Sequence, residues 1–515
     1  LAIGAVLGCA GASAKPVGLI EEFDIGGTAH SLVPGPRGDI WFTFETEFHQ
    51  GAIGRISPQG KVTEFRVTEP NAGLNPGGVP WAMVAGPEGS LWFTGLGNPP
   101  AIGRITPEGA ITDFSAGLNP GSSPGDVAAG PDGNIWFTDN GATKAIGRIT
   151  PAGTITEFSA GLNPQGTPDG LLAQPEGNIW FTDKAGSATA IGRITPAGSI
   201  AEFGSVPSSV YAFDELIAGP DGNLWLASNG PALGIARVTP LGEISEFGAG
   251  ISPQNLELGP LVSGPDGNVW FAARGNRSAS PASGSTAAIG RVTPSGTVTE
   301  FGKCVHPGPP FTGRPPYTGP ISLAVGPDGN IWYTSLPAGH ASSVGSTAAI
   351  GRVTPSGKVT EFRAGLAPGS RPVSIVAGAD GSMWFGDYGT FSIGRITPPS
   401  APANTFLVLP ALPASKSGRT SLPVVVPGPG TLKLKPIAML SGRNGQIHLP
   451  AQRTVAAHAA SCGRTILHLT PAGIARAQLA RVGAVRLKAR ITFTPTGGSS
   501  YHRLAAVTVK RHAPN

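Results

Sequence analysis

Four aspartates stand at two fixed offsets from a recurring tryptophan. Asp139 and Asp183 follow Trp136 and Trp180 by three residues, and Asp169 and Asp214 precede Trp180 and Trp225 by eleven. Carboxylate oxygens are the hard donors that Ca2+ and Mg2+ prefer, so acids gathered in one place could hold such a cation, Asp169 and Asp214 foremost. Aspartate also forms turns and sits on solvated loops, which requires no ligand. Tyr211 and Glu215 lie beside this set in sequence. His49, His306 and His340 fall in loop sequence and read as solvated. The elements that carry the acids decide whether they meet.

Those elements repeat. Trp41, Trp92, Trp136, Trp180, Trp225, Trp270, Trp332 and Trp384 share one motif, spaced 51, 44, 44, 45, 45, 62 and 52 residues apart. Each repeat runs turn (Gly130-Pro131-Asp132-Gly133), tryptophan strand, Ile146-Gly147-Arg148-Ile149-Thr150, a Pro-x-Gly turn and Ile155-Thr156-Glu157-Phe158. Four short strands at this period make one blade of a β-propeller. Asp-Gly and Pro-x-Gly close the A–B and C–D hairpins. The D–A and B–C connections then share one face, and the offset positions line the channel mouth there. Each strand-C arginine stands nine residues before a strand-D acid (Arg148 and Glu157, for example), which predicts a cross-strand ion pair. The eighth, Arg395, lacks that acid. The isolated Glu21-Glu22-Phe23 segment is expected to complete its blade and close the ring.

The fold class predicted is all-β: an eight-bladed β-propeller over residues 19–398, a linker at 399–412, and a small basic β-sandwich over 413–515. Gly 77 and Pro 52, with 13% charged residues and 40% hydrophobic ones, suit short strands and tight turns. Charge divides sharply. Residues 1–402 hold 21 Lys and Arg against 31 Asp and Glu, whereas 403–515 hold 15 Lys and Arg and no acid. Residues 1–14 read as the remnant of a signal peptide ending in Ala12-Ser13-Ala14, with a competing lipobox that would lipidate Cys9. Both readings put the protein outside the cytoplasm, secreted or envelope-associated. No run reaches the roughly 18 apolar residues of a membrane span. Cys304 and Cys462 could pair in an oxidising compartment only across a close interface.

The Gly-Pro-Asp-Gly-Asn-Ile-Trp-Phe-Thr, Ile-Gly-Arg-Ile-Thr-Pro and Ile-Thr-Glu-Phe series resembles the virginiamycin B lyase (streptogramin lyase) family over about residues 19–400. The 403–515 segment, with Leu469-Thr470-Pro471-Ala472-Gly473, resembles an Ig-like module. The first resemblance implies a seven-bladed propeller that opens a cyclic depsipeptide by elimination, using Mg2+ and a histidine base. It places catalytic groups eleven and thirteen residues before and three residues after the blade tryptophan. At those positions this chain offers His30 as the base, Trp81 in the adjacent blade, and Glu257 thirteen before Trp270. No blade combines a histidine with both carboxylates. The expected site is therefore a ligand-binding mouth of Trp81, Asp139, Asp169, Asp183 and Asp214, with catalysis by His30 and a Mg2+ or Ca2+ on Asp169 and Asp214 as the enzymatic alternative. Loops at 274–287, 302–319 and 336–348 overhang the same face. A third alternative is a structural module of the cell envelope. The expected partners are a small molecule or an envelope polyanion met by the basic tail. Nucleic acid is not expected, since no aromatic stacking series accompanies the basic residues, and the protein is expected to be a monomer.

Overall fold

A computed structural model of the protein describes residues 18–35, 37–46, 50–65, 79–95, 99–207, 215–229, 233–252, 255–276, 287–301, 317–336 and 348–398. Toward the C-terminus it describes 407–408, 420–426, 430–441, 445–448, 455–459, 463–469, 475, 477, 479, 481, 484–495 and 501–510. The signal remnant with Cys9, Cys304 and Cys462, His49, His306, His340, Tyr211, Asp214 and most of the three long loops lie outside the described residues.

Eight four-stranded antiparallel blades follow one another round a ring, one more than the family resemblance implies. Blade 3 shows the unit: strand A Pro124–Ala129, B Ile135–Asp139, C Ala145–Ile149 and D Ile155–Phe158, paired in that order. Its A–B and C–D turns place Gly133 at φ 78° and Gly153 at φ 91°, which a side chain would resist. Blade 8 takes strands A to C from Pro372–Ala377, Met383–Asp387 and Ser392–Ile396, and its fourth strand from Ile20–Asp24 at the other end of the chain. Glu21 pairs with Arg395 and Phe23 with Ile393 in that closing strand.

One lattice holds the ring together. All eight motif tryptophans are 0–1% exposed, and each packs against the next blade, as Trp136 does on Ile179 and Phe181. A phenylalanine stacks on every one of them with centroids 5.2–6.1 Å apart, and in blade 8 the partner is Phe23 of the closing strand. The predicted arginine–acid pairs do not form across the C–D hairpins. Gly147, not Arg148, stands opposite Glu157, and Arg148 stands opposite Thr156. The nine-residue offset has the wrong parity, because successive side chains leave a strand on opposite faces. The guanidinium lies instead over Trp136 and Phe158, at 5.6 and 5.5 Å, and donates to the Pro196 carbonyl of the next blade at 2.7 Å. The same bond runs from Arg55 to Pro107, Arg104 to Pro151 and Arg237 to Pro294, and from Arg395 back to Pro58 of blade 1. Arg395 alone meets its opposite acid, Glu21.

The C-terminal region forms two further sheets. One orders Leu407–Val408, Thr420–Val426 and Gly463–Leu469, and the other is built on Gly430–Ser441, Ala484–Pro495 and Tyr501–Lys510. Leu422, Val424, Leu467, Leu432, Leu434, Leu487, Ile491 and Phe493 share one core with Ala475 and Leu479, which are helical. Leu407 and Val408, placed in the linker by the sequence reading, pair with Val425 and Val424.

Candidate functional site

The inner strand of most blades is irregular at one place. In blade 1 the ladder slips between Ala29 and Ser31, in blade 2 between Pro80 and Met83, in blade 3 between Pro124 and Val127, and in blade 4 between Asp169 and Leu172. A bulge sets an extra residue against the partner strand and turns its side chain out of the regular alternation. In these four blades the position eleven before the tryptophan lies at this bulge. Strand-B threonines hold it in register. Thr43 Oγ1 accepts from Ser31 N at 3.2 Å and donates to the Trp81 carbonyl of the next blade at 2.9 Å. Thr94 does the same between Ala82 N and the Gly125 carbonyl.

Two of the bulge residues meet. The His30 and Trp81 rings lie 5.0 Å apart, tilted by 33°. Trp81 is 49% exposed, in contrast to the eight buried tryptophans. Among the described residues His30 Nε2 has no hydrogen-bond partner, and it lies 3.9 Å from Glu45 Oε2. Burial holds the His30 imidazole below its ordinary value of 6.5, and Glu45 only partly offsets this. The ring is therefore neutral at pH 7.

Further round the rim, blades 3 to 5 present acids. Asp126 Oδ2 accepts from Leu171 N of blade 4 at 2.8 Å, and Oδ1 from Val127 N at 2.8 Å. Burial and then the neighbouring Asp169 charge raise Asp126 to about 6. Burial, Asp126 and Asp169 together raise Glu215 to about 7, although its side chain reaches solvent. These three carboxyls interact across three blades, and the upward shifts of Asp126 and Glu215 are of the kind that clusters at functional sites. Asp169 is an exposed member of the group. Asp126, ten residues before Trp136, was missed because only the eleven-residue offset was read. A bulge gives two consecutive residues a claim on the rim.

Asp139 and Asp183 are buried rather than open to the mouth. Asp139 is fully buried, accepting from Ser122 Oγ at 2.6 Å, Ser123 N at 2.6 Å and Gly141 N at 2.8 Å. Glu157, raised to about 7 by burial and by Asp139, binds Asn119 N of the same D–A loop. Asp183 is 1% exposed beneath the 159–167 loop, where burial and Glu202 raise it to about 7. Strand B ends under the loop, and in blade 3 Asp139 fastens that loop from below. Glu257 is likewise buried, in an ion pair with Arg274 at 3.3 Å, and Arg274 belongs to strand Val269–Asn276 rather than to a loop.

A model of the virginiamycin B lyase family matches residues 11–280 and 284–418. The chain belongs to the virginiamycin B lyase family. No curated protein matches it. Among solved structures it is similar to a protein from Lactobacillus plantarum (15% identity, 64% of this chain and 96% of that one, TM-score 0.42). It is also similar to a gluconolactonase from Xanthomonas campestris (14%, 49% and 84%, TM-score 0.32). A third is PorZ, a surface component of the type-IX secretion system of Porphyromonas gingivalis (12%, 93% and 75%, TM-score 0.41). Among the described residues no three His, Cys, Asp or Glu side chains converge to hold a metal ion. The proposed Asp169–Asp214 pair includes a residue outside those described.

A cavity of about 420 Å³ opens at the blade 4 and 5 turns, lined by Gln174, Glu176, Trp180, Arg193 and Pro240. Gln174 stands where the other blades have glycine, at a position whose Cβ would strike the indole edge, as at Gly130 and Gly219. The A–B and C–D turns lie on the opposite face from the mouth.

Proposed function

We propose that this member of the virginiamycin B lyase family acts outside the cytoplasm by binding a ligand at the channel mouth. The observation that carries this is the exposed Trp81 ring beside a neutral His30, held there by Thr43. An aromatic face this exposed gains most by covering apolar ligand surface. The carboxyls of Asp126, Asp169 and Glu215 would take hydrogen bonds or positive charge from the ligand's other end. A small molecule or a segment of an envelope polymer with one apolar and one donor-rich side fits that arrangement.

A second reading, carbon–oxygen lyase chemistry on a cyclic depsipeptide, is favoured by His30 itself. Its unpartnered Nε2 could take the proton from the carbon bearing the hydrogen to be lost, as the neighbouring C–O bond of the ester breaks and the carboxylate leaves. No water is consumed.

A depsipeptide and envelope-fragment panel tests both. A bound ligand should raise the melting temperature of the wild type, and the Trp81→Ala change should abolish that rise. An equal rise in the variant contradicts the mouth site. Ring-opened product that disappears in His30→Gln, with the melting shift retained, would make the second reading the correct one.

A further inference from the structure

Four cations gather on the outer face of the central strands of the C-terminal five-stranded sheet, at Lys433, Lys435, Lys488 and Arg490. Leu432, Leu434, Leu487, Ala489 and Ile491 fill the core, so the alternate positions point outward. Lys433, Lys435 and Arg490 there are exposed and Lys488 is half-buried. The register sets Lys435 directly opposite Arg490. Like charges facing each other across a ladder destabilise a sheet, and residues 403–515 contain no Asp or Glu to relieve them. The arrangement costs the isolated domain stability, and an anionic partner would turn that cost into attraction.

We infer that this face docks a phosphodiester polymer without bases, the chemistry of a polyol-phosphate polymer of a cell envelope. Charge complementarity selects a polyanion. Thr431, Thr492, Thr494, Ala456 and His458 accompany the cations on the described part of the sheet, facing the same way by register. Among these described residues there is no Phe, Tyr or Trp platform on which nucleic-acid bases stack, and no bulky apolar wedge with which a surface-bound element enters a bilayer. This interaction is independent of the channel mouth.

The test uses the full chain and poly(glycerol phosphate) as probe, followed by sedimentation. Binding should be present at about 0.1 M salt and lost near 1 M, as the Debye length falls from ~10 to ~3 Å. The double change Lys435→Gln and Arg490→Gln should weaken binding about tenfold without lowering the melting temperature, because it removes an opposed like-charge pair. Arg37→Gln, at an exposed propeller arginine paired with Glu108, should leave binding unchanged. No binding at low salt would mean that the face is covered, by the acidic propeller for example, and overturns the inference. So would unaltered binding in the double variant, or equal or tighter binding of duplex DNA or phosphatidylglycerol vesicles.

Discussion

The outer lattice of the propeller and its inner rim follow opposite rules. In the lattice every blade repeats the same tryptophan, phenylalanine and arginine stack, and the ring closes because Phe23 and Arg395 reproduce it in blade 8. At the rim the bulge recurs while its occupant changes, from His30 to Trp81, Gly125 and Asp169. A repeated backbone device thus presents non-repeated chemistry. What is uniform from blade to blade holds the fold, and what differs at a uniform position is where binding resides.

The largest break in this comparison removes closure. A chain beginning at Gly27 loses the fourth strand of blade 8, the Phe23–Trp384 stack and the bonds that Ser370 Oγ and Ala367 N donate to Glu22. Denaturant unfolding should show a loss on the order of 4 kcal/mol or more, since a whole strand of apolar contacts goes with it. A melt like that of the full chain would refute closure by this strand.

Tryptophan truncation separates the two regions next. Trp136→Ala should destabilise by about 3–5 kcal/mol, as large core truncations do. Trp81→Ala should stay within about 0.5 kcal/mol, because half its surface is already in water. Equal losses would erase the distinction between lattice and rim.

The smallest effect is the pH response of Glu215. Its carboxyl holds a proton up to about 7 in the folded protein, against an ordinary 4.5. The folded state thus binds that proton more tightly than the unfolded chain. The resulting stabilisation is complete below about pH 4.5 and is lost as the pH rises through about 7. Glu215→Gln should therefore be more stable than the wild type at pH 8 by about 1 kcal/mol, a figure reduced for solvent screening of a side chain that reaches water. At pH 4 the two should melt alike. A constant difference across that range would remove the carboxyl cluster from the account.

The fold was legible because period, turn glycines and tryptophan spacing all point to one blade, and the lone Glu21-Glu22-Phe23 segment had no other place to pair. The site was legible only in part. His30 and Trp81 met as adjacent-blade offsets suggest, but offset alone could not distinguish an acid on the rim from one beneath it. Asp139 and Asp169 look alike in sequence. The hydrogen bonds of Ser122, Ser123 and Gly141 sequester the first, and no local signal announces them. The arginine–acid spacing misled for a simpler reason, since a register shifted by one residue moves every side chain to the other face.

The central claim is that Trp81 is the working surface of the mouth, and tryptophan fluorescence reads it directly. The other eight motif tryptophans are buried at 0–1%, so solvent-sensitive emission and acrylamide quenching report on Trp81. Titration with a ligand from the panel should shift that emission to the blue and protect it from quenching. The Trp81→Phe variant should show neither change. A ligand that binds while the wild-type emission and quenching stay constant would contradict the account.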